Sequence, residues 1–364
     1  MRFIAFAYNL FTLSHIIAYT NDVWGRENVD IIYSDIANAI PPTIIEDYKI
    51  HYIPANGVLE RRRIDAIICS CRLSKQIWKE ADLCISKTKE EVTLVVFRDN
   101  EVEEATLIEL AFKKYESRMH LWIMEEGAGI YAQERPAVRY LAIKKLLYNL
   151  FGVSRYSLEN HTQGVHPCVE KVICSNPELF KNKARSNINI ENTRDVFQDR
   201  LNKYLIKSVC GAEKSERKYE YVFLTQPFDM FRDEYGKLLE LHNRLLPEIF
   251  RILSAHGNVI IKLHPRENYD YQKYQNDRVN VSSEQEKILP FQCLMQYYDS
   301  PQMISMFSSA SIGVKNDSPS IYLFKLFEIP GVNKLFDEKF YKENNIIACN
   351  TLKEFENLII NQKR

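Results

Sequence analysis

Two neighbouring carboxylates, Glu125 and Glu126, follow the apolar run HLWIM and precede Gly127. A carboxylate held beside a like charge in a partly buried place is a good proton acceptor, and it can take a proton from a hydroxyl group. The glycine lets the backbone turn sharply and lets a ligand come close. The alternative interpretation is a structural cap at the start of a helix.

A histidine ends a second apolar run, in the segment VIIKLHPRE, where His264 precedes Pro265. The proline restricts His264 to an extended backbone, so its ring projects from the strand end in a fixed direction. Lys262 and Arg266 add positive charge on the two sides of the histidine. A histidine with two nearby cations suits an anionic leaving group such as a phosphate. A histidine that only caps a turn is the alternative.

Two serines, Ser308 and Ser309, follow a third apolar segment, MISMF. Small hydroxyl groups and backbone N–H groups at a helix start can bind a phosphate, whereas close packing of small residues is the alternative. A second His-Pro pair, His166–Pro167, precedes an apolar run instead of ending one. We therefore predict a structural loop at that pair.

The composition excludes several classes of protein. The 364-residue chain has a formal net charge of zero, which argues against a general nucleic-acid binder. Its eight cysteines are scattered and form no zinc-binding spacing, so we expect free thiols in a reducing compartment. The sequence contains no P-loop motif, and no Asp-x-Asp motif to hold a divalent metal on a nucleotide sugar.

Apolar runs that alternate with helical patterns predict an α/β protein with two Rossmann-like domains. The polar stretch AEKSERK, residues 212–218, is the expected linker between an N-terminal domain of residues 1–211 and a C-terminal domain of residues 219–364. An arrangement in which the last helix packs back on the N-terminal domain is left open. Ligands of such sheets bind at the carboxyl ends of the strands, where the three motifs stand.

The N-terminal apolar stretch is interrupted by polar residues and lacks a cleavage site, so we expect no signal peptide. No window of 18 uninterrupted apolar residues occurs, so we expect no membrane span. A cytoplasmic protein is expected, and peripheral association with the inner face of the cell membrane is left open.

The three motifs, in this order, resemble the signatures of bacterial sialyltransferases: Glu125–Glu126–Gly127, His264–Pro265 and Ser308–Ser309. The segments WIMEEGAGIY, YVFLTQP, IKLHPRE and MFSSASIGVK look most similar to glycosyltransferase family 52, the lipooligosaccharide and capsule sialyltransferases. This resemblance implies a GT-B fold with two Rossmann-like domains facing a central cleft. It also implies CMP-sialic acid as donor, inversion at the anomeric carbon, and no metal or other cofactor.

The same resemblance implies roles for the motif residues. Glu126 is the favoured general base, with Glu125 as its competitor, and Asp229, in TQPFDM, is ranked below Glu126. The acceptor would be a surface glycan such as lipooligosaccharide or capsule, and sialic acid would be transferred to a hydroxyl of its terminal galactose. His264 would bind or protonate the departing phosphate. The expected donor-binding residues are Gly127, Lys262, Pro265, Arg266, Ser308 and Ser309.

Two other functions stay open from the sequence alone. One is a different GT-B glycosyltransferase, such as a polysialyl- or glucosyltransferase. The other is a non-catalytic protein that binds a nucleotide sugar or a glycan, in which the paired acids are only caps. The oligomeric state is also open, and a homodimer is compatible with the sequence.

Overall fold

The structure is a computed structural model in which the chain divides into two compact units, Met1–Phe197 (unit 1) and Gln198–Arg364 (unit 2). The predicted linker, residues 212–218, lies outside the described residues except for Lys218, so the predicted boundary stays a prediction. The structure describes residues 1–35, 47–55, 63–132, 141–160, 162–181, 185–192, 218–227, 235–312, 318–329 and 338–361.

Unit 1 is built on a seven-stranded sheet with the order β3-β2-β1-β4-β5-β6-β7, in which every neighbouring pair is parallel. The chain changes its direction of travel across the sheet between β1 and β4, which is the doubly wound Rossmann arrangement. The strands are β1 (Arg2–Ala7), β2 (Val29–Tyr33), β3 (Ile50–Tyr52), β4 (Val92–Val96), β5 (Met119–Met124), β6 (Val169–Cys174) and β7 (Asn189–Asn192).

Helices connect these strands. The first begins after Asn9, whose side chain accepts a hydrogen bond from the backbone N–H of Thr12 at 2.8 Å, while the Thr12 hydroxyl accepts one from the N–H of Asn9 at 3.2 Å. Single turns of 3-10 helix include Ala128–Tyr131, and a π-helical turn, Thr20–Trp24, follows the first helix. The helices are α1 (Leu10–Tyr19), α2 (Arg63–Ser86), α3 (Val102–Tyr115), α4 (Leu141–Phe151), α5 (Tyr156–Glu159) and α6 (Pro177–Lys181).

Unit 2 repeats the pattern with a six-stranded parallel sheet in the order β10-β9-β8-β11-β12-β13. Its strands are β8 (Tyr221–Leu224), β9 (Val259–Lys262), β10 (Val279–Val281), β11 (Gln302–Ser305), β12 (Ser320–Tyr322) and β13 (Ile346–Ala348). Its helices are α7 (Tyr235–His256), α8 (Glu284–Ile288), α9 (Phe291–Tyr297), α10 (Glu338–Glu343) and α11 (Leu352–Asn361). The last helix, α11, packs against α7 of its own unit.

The central strands are apolar along their length because helices cover both faces of a doubly wound sheet. Every residue of β4 and of β8 is buried, and so is every residue of β1 after Arg2. The predicted fold class, two Rossmann-like α/β domains as in GT-B enzymes, is confirmed at the level of the two units.

Short strands are the elements that the sequence did not predict. β2, β3, β7 and β10 contain three to five residues each and carry polar residues such as Asp30, His51 and Glu191. A run this short gives a weak periodic signal, so its pairing depends on the neighbouring strand rather than on its own pattern. No helix of the described residues is long and apolar enough to cross a membrane.

A substitution at Gly164 tests the packing of the loop before β6. The φ of Gly164 is +81°, which is unfavourable for other residues, and an added Cβ would lie 2.8 Å from the Phe180 ring. We expect Gly164→Ala to lower the free energy of unfolding by about 2 kcal/mol. The matched control is Gly236→Ala in α7, where an added Cβ meets nothing within 4 Å among the described residues. That change is expected to raise the free energy of unfolding by about 0.5 kcal/mol. Chemical unfolding of both variants is the measurement, and equal effects would contradict the prediction.

Candidate active site

Polar side chains from four strands of unit 1 collect at one edge of its sheet, which we name the carboxyl edge of unit 1. Tyr8 follows β1, Arg98 follows β4, Glu126 follows β5 and Ser175 follows β6. Because these strands are parallel, their carboxyl ends lie on the same edge. The edge therefore holds the predicted acid motif together with residues that the sequence analysis did not single out.

Glu125 is buried, with 4% of its surface exposed. Its carboxylate accepts hydrogen bonds from the Tyr131 hydroxyl at 2.7 Å, from the Ser175 hydroxyl at 2.9 Å and from the Ser175 backbone N–H. The Tyr131 hydroxyl also accepts a bond from the N–H of Asn176 at 2.9 Å. Both carboxylate oxygens of Glu125 are thus bound to protein groups, and the residue ties the end of β5 to the end of β6.

Glu126 is the accessible member of the pair. Its side chain is 31% exposed, and its Oε2 lies 3.7 Å from the Nε of Arg98. A carboxylate with one cationic neighbour and an exposed surface can meet a substrate hydroxyl, whereas the buried carboxylate of Glu125 cannot. The structure therefore separates two residues that are equivalent in the sequence.

Arg98 is held from two sides. Its guanidinium carbon lies 3.4 Å from the centre of the Tyr8 ring, and its Nε lies 3.5 Å from Oε2 of Glu104. Burial opposes the charged form of Arg98, but Tyr8, Glu126 and Glu104 raise its pKa overall, so the guanidinium stays charged. Arg98 therefore places a positive charge beside the Glu126 carboxylate.

Glu104, in the first turn of α3, lies next to Arg98 and pairs with it. It is fully buried, and its Oε1 accepts hydrogen bonds from the backbone N–H groups of Phe97 and Arg98 at 3.0 and 3.1 Å. Burial raises the pKa of Glu104 to about 8, although Arg98 and these hydrogen bonds act in the opposite direction. The loop after β4 is thereby fixed by a side chain of the helix that follows it.

Gly127 turns the chain away from the sheet directly after the acids. Its φ is +141°, in the region that favours glycine, and it precedes the 3-10 turn Ala128–Tyr131. That turn brings the Tyr131 hydroxyl back to Glu125. The glycine predicted to bind the donor thus has a backbone role in shaping the motif.

In unit 2, His264 stands at the end of β9, on the carboxyl edge of that sheet. Its backbone N–H donates to the Thr225 hydroxyl at 2.8 Å, and its Nδ1 accepts from the N–H of Arg266 at 3.1 Å. Burial lowers the pKa of His264 to about 3, and the charges of Arg266, Lys262 and Lys287 act in the same direction. The ring is therefore neutral at pH 7, with its hydrogen on Nε2.

Lys262 was predicted to bind the donor, and that role stays a prediction, because the structure shows its ammonium bonded inside unit 2. The residue is 4% exposed, and its ammonium donates to the carbonyls of Leu263 and Lys287 at 2.7 and 3.0 Å. Burial lowers its pKa to about 7. A side chain in the last position of a buried strand has no route to solvent, so Lys262 holds the backbone and acts on His264 only through its charge.

The rest of the HPRE segment forms a turn in which the N–H of Glu267 donates to the carbonyl of His264 at 2.9 Å. Pro265 is exposed, and Arg266 is partly buried. The buried Glu267 accepts from the N–H groups of Asn268 and Tyr269 at 3.1 and 3.0 Å. Burial raises the pKa of Glu267. Glu267 thus supports the turn that fixes the histidine ring.

The serine motif follows β11. The N–H of Ser308 donates to the Ser305 hydroxyl at 2.9 Å, and the Ser308 carbonyl accepts from the hydroxyls of Ser311 and Tyr322 at 2.9 and 2.6 Å. The Ser308 hydroxyl is partly buried and accepts from the N–H of Ala310 at 3.3 Å. The structure does not describe the side chain of Ser309, and Asp229 lies outside the described residues.

The predicted loop at His166–Pro167 is confirmed: the pair lies in a loop before β6, in which His166 is buried and Pro167 is exposed. Asp99, after β4, accepts from the N–H groups of Gly164 and His166 at 2.7 and 2.8 Å. Burial lowers the pKa of His166 to about 4, with Arg185 acting in the same direction. The sequence analysis missed Arg98, Asp99 and Glu104, although the polar residues after the apolar run VTLVVF were a usable signal for them.

The contrast between the two acids predicts different effects on stability. Glu125→Gln replaces an acceptor with an amide that cannot accept all three bonds, so we expect a loss of about 1–3 kcal/mol in the free energy of unfolding. Glu126→Gln changes an exposed group and is expected to stay within about 0.5 kcal/mol of wild type. Urea unfolding of the two variants measures this difference. A larger loss for Glu126→Gln than for Glu125→Gln would contradict the assignment.

The environment of His264 predicts its titration. Because its folded pKa lies below the unfolded value of about 6.5, its contribution to stability is present above pH 6.5 and is lost as the pH falls towards 3. We expect nitrogen-15 NMR spectra to show a neutral ring protonated on Nε2 at pH 5, with His264→Gln assigning the resonance. A ring that titrates near pH 6.5 would refute the geometry.

The sequence matches the model of the family "Alpha-2,8-polysialyltransferase (POLYST)" over residues 4–289. The match includes the acid motif and the His-Pro motif and ends before Ser308. A search of curated proteins finds no match. The predicted sialyltransferase class is thus supported by the sequence, whereas membership of glycosyltransferase family 52 stays a prediction.

Solved structures share the fold at low sequence identity. A 2,6-sialyltransferase from Vibrionaceae Photobacterium sp. JT-ISH-224, in a complex with CMP and lactose, has a TM-score of 0.51 and 12% identity, covering 95% of this chain and 78% of that chain. A sialyltransferase from Photobacterium damsela has a TM-score of 0.44 and 11% identity, with 96% and 81% covered. The UDP-GlcNAc 2-epimerase from Methanocaldococcus jannaschii has a TM-score of 0.49 and 12% identity, with 99% and 92% covered.

The likeness to the Photobacterium sp. JT-ISH-224 enzyme, at 12% identity, establishes a common fold and no more. The family model carries the assignment, because it covers most of the chain and both motifs that the described geometry places at strand ends. The protein belongs to the alpha-2,8-polysialyltransferase family and is a glycosyltransferase of the sialyltransferase class.

Proposed function

We propose that the protein transfers sialic acid from CMP-sialic acid to a hydroxyl group of a glycan, with inversion at the anomeric carbon and without a metal ion in the reaction. The observation that carries this proposal is the difference between the two adjacent acids. Glu125 is buried with both oxygens bound, while Glu126 is partly exposed and forms an ion pair with Arg98. An exposed, oriented carboxylate at a strand end is what a general base requires.

In the proposed reaction Glu126 takes the proton from the acceptor hydroxyl as its oxygen attacks the anomeric carbon of the donor. The bond from that carbon to the phosphate oxygen breaks, and CMP leaves with the bonding electrons. The transition state has oxocarbenium character, so the charge that develops on the phosphate needs stabilisation. Arg98 lies beside the Glu126 carboxylate, with its Nε 3.7 Å from Oε2, and orients the carboxylate before it takes the proton.

Residues of unit 2 would bind the leaving phosphate. The neutral ring of His264 offers a hydrogen bond from Nε2, because Nδ1 is already an acceptor for the Arg266 N–H. Because the ring is neutral, no ion pair has to break when CMP departs. Binding of the phosphate anion would raise the pKa of the ring and so favour its protonation. Ser308, with Ser309, is proposed to hold the same phosphate. Asp229 is retained as a lower-ranked candidate base.

The family match favours an acceptor that ends in sialic acid over one that ends in galactose, because the family is described as an alpha-2,8-polysialyltransferase. We therefore propose a hydroxyl of a terminal sialic acid as the nucleophile. The wider proposal, a surface glycan such as capsule or lipooligosaccharide and a relation to glycosyltransferase family 52, is supported by the motif resemblance.

The test is transfer from CMP-sialic acid to a panel of galactose-terminated and sialic acid-terminated oligosaccharides, with products measured by mass spectrometry. We expect sialic acid-terminated acceptors to be extended by one or more residues. Glu126→Gln should lower kcat by about 100-fold or more, the range of a lost general base. His264→Ala should lower it by about 10- to 100-fold, the loss of one hydrogen bond to developing charge.

The controls separate a failed assignment from a failed fold. Asp277→Asn changes an acid that is exposed on unit 2 and should retain wild-type activity. Activity should persist in EDTA, and loss of activity that added Mg²⁺ or Mn²⁺ restores would refute a metal-free reaction. Stabilisation by UDP but not by CMP or CDP in thermal unfolding would indicate another transferase. Full activity in both Glu126→Gln and His264→Ala would contradict the proposed site.

A further inference from the structure

Three side chains that can bind metals converge in unit 1, on the opposite side of β1 from β4 and β5. Asp30 lies in β2, His51 in β3 and Cys84 near the end of α2. The thiol residue is 6% exposed, and the side chains of Asp30 and His51 are 12% and 28% exposed. One ligand atom from each residue lies within 4.8 Å of the other two.

The arrangement does not fit a proton relay of thiol, imidazole and carboxylate. In such a relay the thiol and the carboxylate form hydrogen bonds with different nitrogens of the imidazole ring. Here Nε2 of His51 is 3.4 Å from Oδ1 of Asp30 and also 3.5 Å from Sγ of Cys84. One ring nitrogen has either one lone pair or one hydrogen, so the two neighbours compete for it. A cation between the three atoms can bond to all of them.

The distances fit tetrahedral coordination. With bonds of about 2.05 Å to nitrogen or oxygen and about 2.3 Å to sulfur, a tetrahedral ion separates nitrogen from oxygen by about 3.3 Å and nitrogen from sulfur by about 3.6 Å. The observed separations are 3.4 Å for Nε2 to Oδ1 and 3.5 Å for Nε2 to Sγ. Two of the three pairs of ligand atoms therefore have the separations that a tetrahedral ion requires, and the third pair, Oδ1 and Sγ, lies within 4.8 Å.

Neighbouring charges orient two of the three ligands. Oε2 of Glu80 lies 3.8 Å from Nδ1 of His51, on the side of the ring away from the cluster. A carboxylate in that position favours the tautomer that leaves Nε2 as a ligand. Arg2 donates to Oδ2 of Asp30 from Nε at 3.0 Å and from Nη2 at 2.6 Å, so the other oxygen, Oδ1, faces the histidine.

We propose that Asp30, His51 and Cys84 bind one Zn²⁺ ion, with a water molecule as the fourth ligand. Zinc suits a mixed set of sulfur, nitrogen and oxygen ligands. Binding displaces the thiol proton to solvent, and Cys84 coordinates as thiolate. The ion would join the three-residue edge strand β3 to β2 and to α2, so its role is structural. None of its ligands takes part in the proposed transfer.

The experiment is a titration of the full-length, chelator-treated protein with Zn²⁺ and with Co²⁺. We expect one equivalent of either ion to bind, and Co²⁺ to produce a thiolate-to-metal absorption band and tetrahedral d–d bands. Zn²⁺ should raise the midpoint of thermal unfolding, because it binds the folded chain only. Both Cys84→Ser and His51→Ala should abolish the stabilisation and weaken Zn²⁺ binding by more than about 100-fold. That loss is larger than the loss expected when a residue that only supports a ligand is removed.

Matched controls keep the outcome decisive. Cys349→Ser removes a buried free thiol from unit 2, and His120→Ala removes a histidine whose Nδ1 lies 2.9 Å from a carboxylate oxygen of Glu170. Both variants should bind Zn²⁺ like wild type. If Cys84→Ser does not fold, His51→Ala decides the question. The proposal is overturned if wild type binds no equivalent of Zn²⁺, or if the cobalt–thiolate band survives in Cys84→Ser or His51→Ala.

Discussion

Parallel pairing of buried strands is the constraint on which both units depend. A strand covered on both faces leaves little room for polar side chains, so β1 and β4 are apolar and the polar residues collect where the strands stop. Since all strands of a sheet run in one direction, those residues meet at one edge. Tyr8, Arg98 and Glu126 meet in this way in unit 1, and Thr225 and His264 do so in unit 2.

Gathering polar and charged groups at a buried edge is unfavourable unless each group finds a partner. Several of the described contacts supply such partners. Glu104 and Glu125 bind backbone N–H groups, and the Lys262 ammonium binds backbone carbonyls. These residues hold the loops, and they leave the carboxylate of Glu126 and the ring of His264 in fixed positions. In each unit the polar residues at the carboxyl edge are therefore divided into those that support the loops and those whose side chains stay partly exposed.

The motifs that end strands were predictable because hydrophobic patterning locates the end of a buried strand from a few neighbouring residues. Their division of roles was not predictable. Glu125 and Glu126 differ only in which of them faces Ser175 and Tyr131, residues that lie on other elements. The burial of Lys262 was not predictable either, because a lysine next to a histidine motif gives no sign that its ammonium donates to two backbone carbonyls.

The sequence by itself determined the alternation of strands and helices, the two-unit parallel architecture and the positions of the acid, histidine and serine motifs. These features follow from local propensity and from the period of apolar residues, which act over a short stretch of chain. Only the tertiary structure decided that Arg98 stacks on Tyr8 beside Glu126, and that Asp30, His51 and Cys84 converge. Those contacts join residues far apart in the chain, and the packing of the whole unit, rather than any local pattern, selects which side chains meet.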